Sequence, residues 1–119
     1  MQLKVIKIPE SLINYNMSKM IQDINIISKI KQKSPFYGYD IEIEFLINDN
    51  YIKQFLNDWY NLATGSVLIK VQYIGEIHLI QYNEESNISK RIELYDVFPI
   101  IISDNIITFR CDWFNELLP

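Results

Sequence analysis

The sequence predicts a mainly β domain of the α+β class: antiparallel sheet with one main flanking helix at about residues 50–63. Three observations predict it. Isoleucine, tyrosine and phenylalanine are abundant while Ala63 is the only alanine, a bias that suits a pleated surface better than a helix. From Tyr39 to Ile47, Ile41, Ile43, Phe45 and Ile47 alternate with Asp40, Glu42 and Glu44, which is the period-two pattern of a half-buried strand. From Asn50 to Ala63, Ile52, Phe55, Leu56, Trp59, Leu62 and Ala63 form a wide apolar stripe, with Lys53, Gln54, Asn57 and Asp58 facing away. Asn48-Asp49-Asn50 offers capping oxygens before that helix, and Gly65 suits its end.

The other elements follow in chain order. Leu3 to Ile8 reads as a short strand ended by Pro9. Leu12, Ile13, Met17, Met20 and Ile21 have helical spacing, so Glu10 to Gln22 is predicted as a helix despite Asn14, Tyr15 and Asn16. Ile24 to Ile30 is a strand candidate, and Ser34-Pro35 a break. After the helix, Val67 to Tyr73 is predicted as a strand, with Ile74-Gly75 a bend. Glu76 to Tyr82 and Ile88 to Tyr95 flank the polar run Asn83 to Asn87, which is of hairpin length. Val97-Phe98-Pro99 marks a corner, Ile100 to Ser103 continues extended, and Asp104-Asn105 turns. Ile106 to Phe114 is the last strand, with Ile107, Phe109, Cys111 and Trp113 predicted to share its core face.

Composition narrows the function classes. A chain of 119 residues, 49% apolar and 22% charged, holds one core and is expected to be one domain over residues 1–119. Its net charge is −4 and its pI about 4.9. That balance disfavours gripping a phosphate backbone through counterion release, although an acidic protein can surround DNA without holding it. One cysteine, Cys111, excludes an intrachain disulfide. Met1 to Ile8 is interrupted by Lys4 and Lys7 and lacks the apolar centre of a signal peptide. No stretch approaches the roughly 18 apolar residues of a membrane helix, so a soluble species with no membrane partner is expected.

Little in the chain points to chemistry. His78 and Cys111 could in principle form a nucleophile pair, but Cys111 falls on the apolar side of its strand, where cysteine behaves as a small hydrophobe. One cysteine and one histidine are too few for a tetrahedral zinc site, and the row Asp40, Glu42, Glu44 offers ligands from one direction where divalent cations need several. With Gly38, Gly65 and Gly75 as its only glycines, the chain has no phosphate-cradling loop. No catalytic residue, cofactor or metal is therefore expected. Abundant aromatics (Tyr 8, Phe 6, Trp 2) and many strand edges point instead to burial against other copies or partners.

From Tyr39 onward the order of features becomes specific. The strand Tyr39-Asp40-Ile41-Glu42-Ile43-Glu44-Phe45-Leu46-Ile47 runs into Asn48-Asp49. The helix carries Phe55-Leu56-Asn57-Asp58-Trp59. A hairpin follows, then Glu93-Leu94-Tyr95-Asp96-Val97-Phe98-Pro99, Ile100 to Ser103, and the closing run Ile106-Ile107-Thr108-Phe109 into Asp112-Trp113. This order resembles the tail tube family of T-even-type and related contractile-tailed bacteriophages. Residues 39–115 carry the resemblance, while residues 1–34 do not match; the chain is shorter than the family's usual members.

The resemblance implies an antiparallel sheet rolled into a partial β-barrel or sandwich with the helix packed on it. Phe55, Trp59, Phe98, Pro99, Phe109 and Trp113 would be its structural core. It further implies a virion protein, made in the host cytoplasm, whose copies close into rings expected to be hexameric. Those rings would stack into a conduit for DNA. Partners would be further copies, tail sheath and baseplate proteins, and DNA passing non-specifically. Asp40, Glu42 and Glu44 are candidates for the lumen wall. The alternatives are a related ring at the tube end or baseplate hub, or a small non-enzymatic adaptor that binds partners by strand addition; a hydrolase using His78 is the remote one.

Overall fold

The computed structural model describes residues 1–27, 29–34, 38–46, 49–65 and 67–118. Among them run eight strands and one α-helix: β1 (Gln2–Lys7), β2 (Ile21–Ile27), β3 (Lys31–Ser34), β4 (Gly38–Phe45), α1 (Asn50–Thr64), β5 (Gly75–Tyr82), β6 (Ile88–Ser103), β7 (Ile106–Cys111) and β8 (Trp113–Leu117). All pairings are antiparallel. Following the ladder gives β2-β1-β5-β6-β7-β4, and β2 pairs β4 again, so six strands close into a barrel. β3 adds to β4 and β8 adds to β6, both outside the closed wall. The mainly β, α+β class read from the sequence is the fold observed, and the barrel is fully closed.

Strand alternation fills the barrel. Leu3 and Val5 of β1, Ile41 and Ile43 of β4, Ile77 and Leu79 of β5, and Ile107 and Phe109 of β7 are all buried in one cluster. Ile52, Phe55, Leu56 and Trp59 of α1 enter the same cluster, so helix and barrel share a core. The helix starts where predicted: Asp49 is its N-cap and its side chain accepts from the Tyr51 N–H at 2.8 Å. Ile47 and Asn48 of the predicted strand end lie outside the described residues.

β6 is the hinge of the wall. Its first half pairs β5 on one side and β8 on the other, and its second half pairs β7. The switch occurs at Asp96, whose φ of 51° is a left-handed conformation, followed by Val97, Phe98 and the buried Pro99. Such an irregularity bends a strand without ending it. The β6–β7 hairpin closes through Asp104-Asn105, with Asp104 also left-handed at φ 46°.

Four expectations need correction. Glu10 to Gln22 is not an α-helix: it holds two 3-10 turns, Glu10–Leu12 and Met17–Lys19, and β2 begins at Ile21. Asn16 diverts the backbone, its side chain accepting from both the Ser18 N–H and hydroxyl. The predicted strand Ile24 to Ile30 is correspondingly β2, ending at Ile27. Val67 to Tyr73 is not a strand either; it contains a 3-10 turn at Lys70–Gln72 held by the Gln72 side chain on the Ile69 N–H. Finally, the last strand breaks at Asp112 into β7 and β8. The break shifts the alternation by one residue, so Phe114 packs against the core and Trp113 is 47% exposed.

Candidate functional site

The remaining core candidates sit as follows. Phe55, Trp59 and Phe109 are fully buried, and Trp59 lies 5.5 Å from Phe55 and 6.2 Å from Phe109 between ring centroids. Phe98 packs on the core edge-to-face with Tyr73 at 4.9 Å. Gly75 makes room for the indole: a Cβ there would stand 3.0 Å from the Trp59 ring and closer still to the Lys7 carbonyl. Gly38, at φ 73°, is needed twice over, because a Cβ would also strike the Cys111 carbonyl.

The carboxylate row on β4 is not uniform. Asp40 is largely buried at its side chain and takes a two-pronged hydrogen bond from Arg110, Nε–H to Oδ1 at 2.8 Å and Nη2–H to Oδ2 at 3.2 Å. The Asp40 hydrogen bond raises the Arg110 pKa, and Lys33 stands 3.6 Å from the same carboxylate. Glu42, opposite Thr108, is exposed, and Glu44, opposite Ile106, is half-buried. The structure thus places all three on the outer face of the barrel wall and neutralises the first.

His78 and Cys111 are on different sides of that wall. Cys111 is in the core, where burial, helped by the nearby Asp112 and Asp40 charges, pushes its thiol up to about 12. Such a thiol is no nucleophile. His78 alternates with the buried Ile77 and Leu79 and so faces outward, with Nε2 2.7 Å from Glu76 Oε2 and 3.6 Å from Glu93 Oε2. Glu93 also accepts from the Tyr95 hydroxyl at 2.9 Å, which raises the Tyr95 pKa. Tyr95 stacks on Trp113 at 3.9 Å and 10°. Sequence reading missed this outer-face cluster, although Glu76/His78 and Glu93/Tyr95 are i, i+2 pairs on strands predicted as neighbours. Among the described residues no three His, Cys, Asp or Glu converge as metal donors, and no helix is long and apolar enough to cross a membrane.

The remaining distinctive surfaces are edges and poles. β3 and β8 are the strands with one pairing partner each among the described residues. β3 brings Lys31 and Lys33, just after Lys29, while β8 brings Glu116 just after Asp112. At the pole where β1 starts, a groove of about 610 Å³ is lined by Met1, Lys29, Ile30, Ile92 and Phe114 among others. At the opposite pole a second groove of about 610 Å³ is lined by Ile6, Ile8, Pro9, Ile13, Met17, Val71 and Ile74, with Lys7 and Glu10. No family model, curated protein or solved structure matches the chain.

Proposed function

We propose that this chain is a structural subunit of a contractile-phage tail tube, closing into rings, expected to be hexameric, that stack into a conduit for DNA. The observation that carries the reading is the pair of half-paired strands on an otherwise closed barrel. An open edge exposes a row of backbone donors and acceptors that invites another strand. The two edges are different: β3 carries Lys31 and Lys33, whereas the single charge of β8, Glu116, is paired with Lys90 of β6 at 2.6 Å. Joining two unlike surfaces is a heterologous contact, which closes into a ring when the rotation between copies divides a full turn. A virion location, and sheath and baseplate proteins as neighbours, belong to the same proposal.

The open β8 edge also suits the second reading, an adaptor that captures an extended peptide by strand addition. Light scattering coupled to size exclusion, with negative-stain electron microscopy of the purified chain, separates the two. Rings or tubes support the subunit reading. A monodisperse monomer at high concentration would remove it and leave the adaptor. Glu116→Pro, at a β8 position whose N–H faces away from β6, should abolish rings while the monomer keeps its circular dichroism.

A further inference from the structure

We propose that the tip of the β5–β6 hairpin of one copy seats in the apolar groove formed by Ile6, Ile13, Met17 and Val71 of the next. The two features lie at opposite ends of the same strands. β5 runs from Gly75, beside the groove residue Ile74, to Tyr82 at the hairpin. Eight residues at about 3.3 Å each put the tip roughly 25 Å from its own groove, so a second copy must supply the contact.

The tip is built as a projecting, prearranged element. Asn83 Oδ1 accepts from the N–H groups of Glu85 and Asn87, each at 3.0 Å. The Asn83 N–H reaches the Asn87 carbonyl at 2.9 Å and the Ser86 N–H the Asn83 carbonyl at 3.0 Å. Ser86 holds φ 64°. A loop already fixed in this way loses little entropy on docking. Its base is apolar: Tyr82 and Ile88 pair across the strands and are 44% and 43% exposed.

The groove supplies the matching surface. Ile13 is 72% and Val71 69% exposed, and Ile6 and Met17 lie open beside them. That is a contiguous apolar patch of the kind that marks a contact site. Glu84 and Glu85 give the tip two negative charges with no cation between Tyr82 and Ser89, and Lys7 lines the groove together with Glu10. Seating the tip with its carboxylates toward Lys7 and away from Glu10 fixes one orientation. Tip and groove are unlike surfaces, so the contact is heterologous, and their place at opposite ends of the strands makes it propagate as an open stack. It therefore extends along the barrel axis, whereas the β3 and β8 edges act around it. This step rests on the self-assembly reading in needing more than one copy.

Cysteines introduced as Ile13→Cys with Glu85→Cys, in a Cys111→Ala background, test it directly. Mild oxidation should give a ladder of cross-linked dimers, trimers and higher species on a denaturing gel. Ile13→Cys paired with a cysteine at the exposed, unrelated Asn57 should give no ladder. Val71→Asp should leave rings but eliminate tubes longer than one ring. Lys7→Glu should also shorten tubes, and adding Glu84→Lys with Glu85→Lys should restore them. Rings that stack normally in Val71→Asp, or absence of the ladder while tubes form, would overturn the pole contact and leave the ring reading intact. A wild-type chain that forms neither rings nor a ladder would overturn both, and a ladder without rings would keep this contact and remove the ring.

Discussion

The Trp59 indole N–H donates to the Tyr73 carbonyl at 2.6 Å, tying the helix to the segment that enters β5. Trp59 is fully buried and its ring rests against Gly75, so one side chain joins α1, the exposed 67–73 segment and the barrel wall. Trp59→Ala should destabilise the fold by about 3–5 kcal/mol, the usual cost of a deleted buried aromatic. Trp59→Phe should recover much of that while leaving the Tyr73 carbonyl without its donor. Gly75→Ala should cost about 1–3 kcal/mol through overpacking. Chemical denaturation of the three variants checks the ranking.

The Asp40–Arg110 pair spans β4 and β7 on the outer face of the wall. Both side chains are less than one third exposed, so solvent screening is partial. Arg110→Gln should cost about 2 kcal/mol, in the range for hydrogen bonds to charged groups. Arg110→Lys should rescue only part of it, because a single ammonium cannot reproduce the two-pronged geometry. If the lysine variant matched wild type in urea melts, the pair would be an incidental surface contact.

Alkaline pH should loosen the fold in two steps with assignable causes. Burial raises the Cys111 thiol from 9.0 to about 12, so between those values the unfolded chain loses a proton that the folded chain keeps. The unfolded state then binds fewer protons, and stability falls as pH rises. Burial and the hydrogen bond to Asp58 raise Tyr15 from 10.0 to about 12, adding the same sign from a higher onset. Melting temperature should hold to about pH 9 and decline above it. Cys111→Ala should remove the lower onset, and combining it with His78→Ala should not impair assembly. A thiol reagent at pH 8 should modify wild type at the rate of global unfolding only.

Glu42 and Glu44 test the conduit. If β4 forms part of the lumen wall of a ring, its carboxylates recur in every copy and keep phosphates off the surface. Glu42→Lys with Glu44→Lys should then retain DNA in assembled tubes at low salt and release it at high salt. Assembled variants that bind no DNA would put β4 on the outside.

The fold class was legible because period-two alternation in β4 and the α1 stripe come from side chains that all meet one core. Phe55, Trp59 and Phe109 could be placed from that pattern alone. Trp113 could not, since its direction is set by a one-residue slip at Asp112 that alternation does not reveal. Val67 to Tyr73 misled for the opposite reason: Val67, Ile69 and Val71 alternate as in a strand but are exposed, so their pattern reflects a surface and not a buried face. The poles were invisible in sequence because Ile6, Ile13 and Val71 converge from three separate segments.

The two ways in which β6 finds partners divide the chain in time as well as in space. β5, β6 and β7 follow one another as a meander, each meeting its neighbour through a short connection, and β8 turns back onto β6. The seams that make the wall continuous are different: Leu3 opposite Leu79 and Tyr39 opposite Cys111 join residues more than half the chain apart. Bringing such distant partners together slows folding, because loop entropy is lost before any pairing is gained. A ribosome delivers β1 to β4 before the strands that seal them exist. The half-made wall has raw edges on both sides during that interval, and a neighbouring nascent chain offers the same strands that its own C-terminal half will supply.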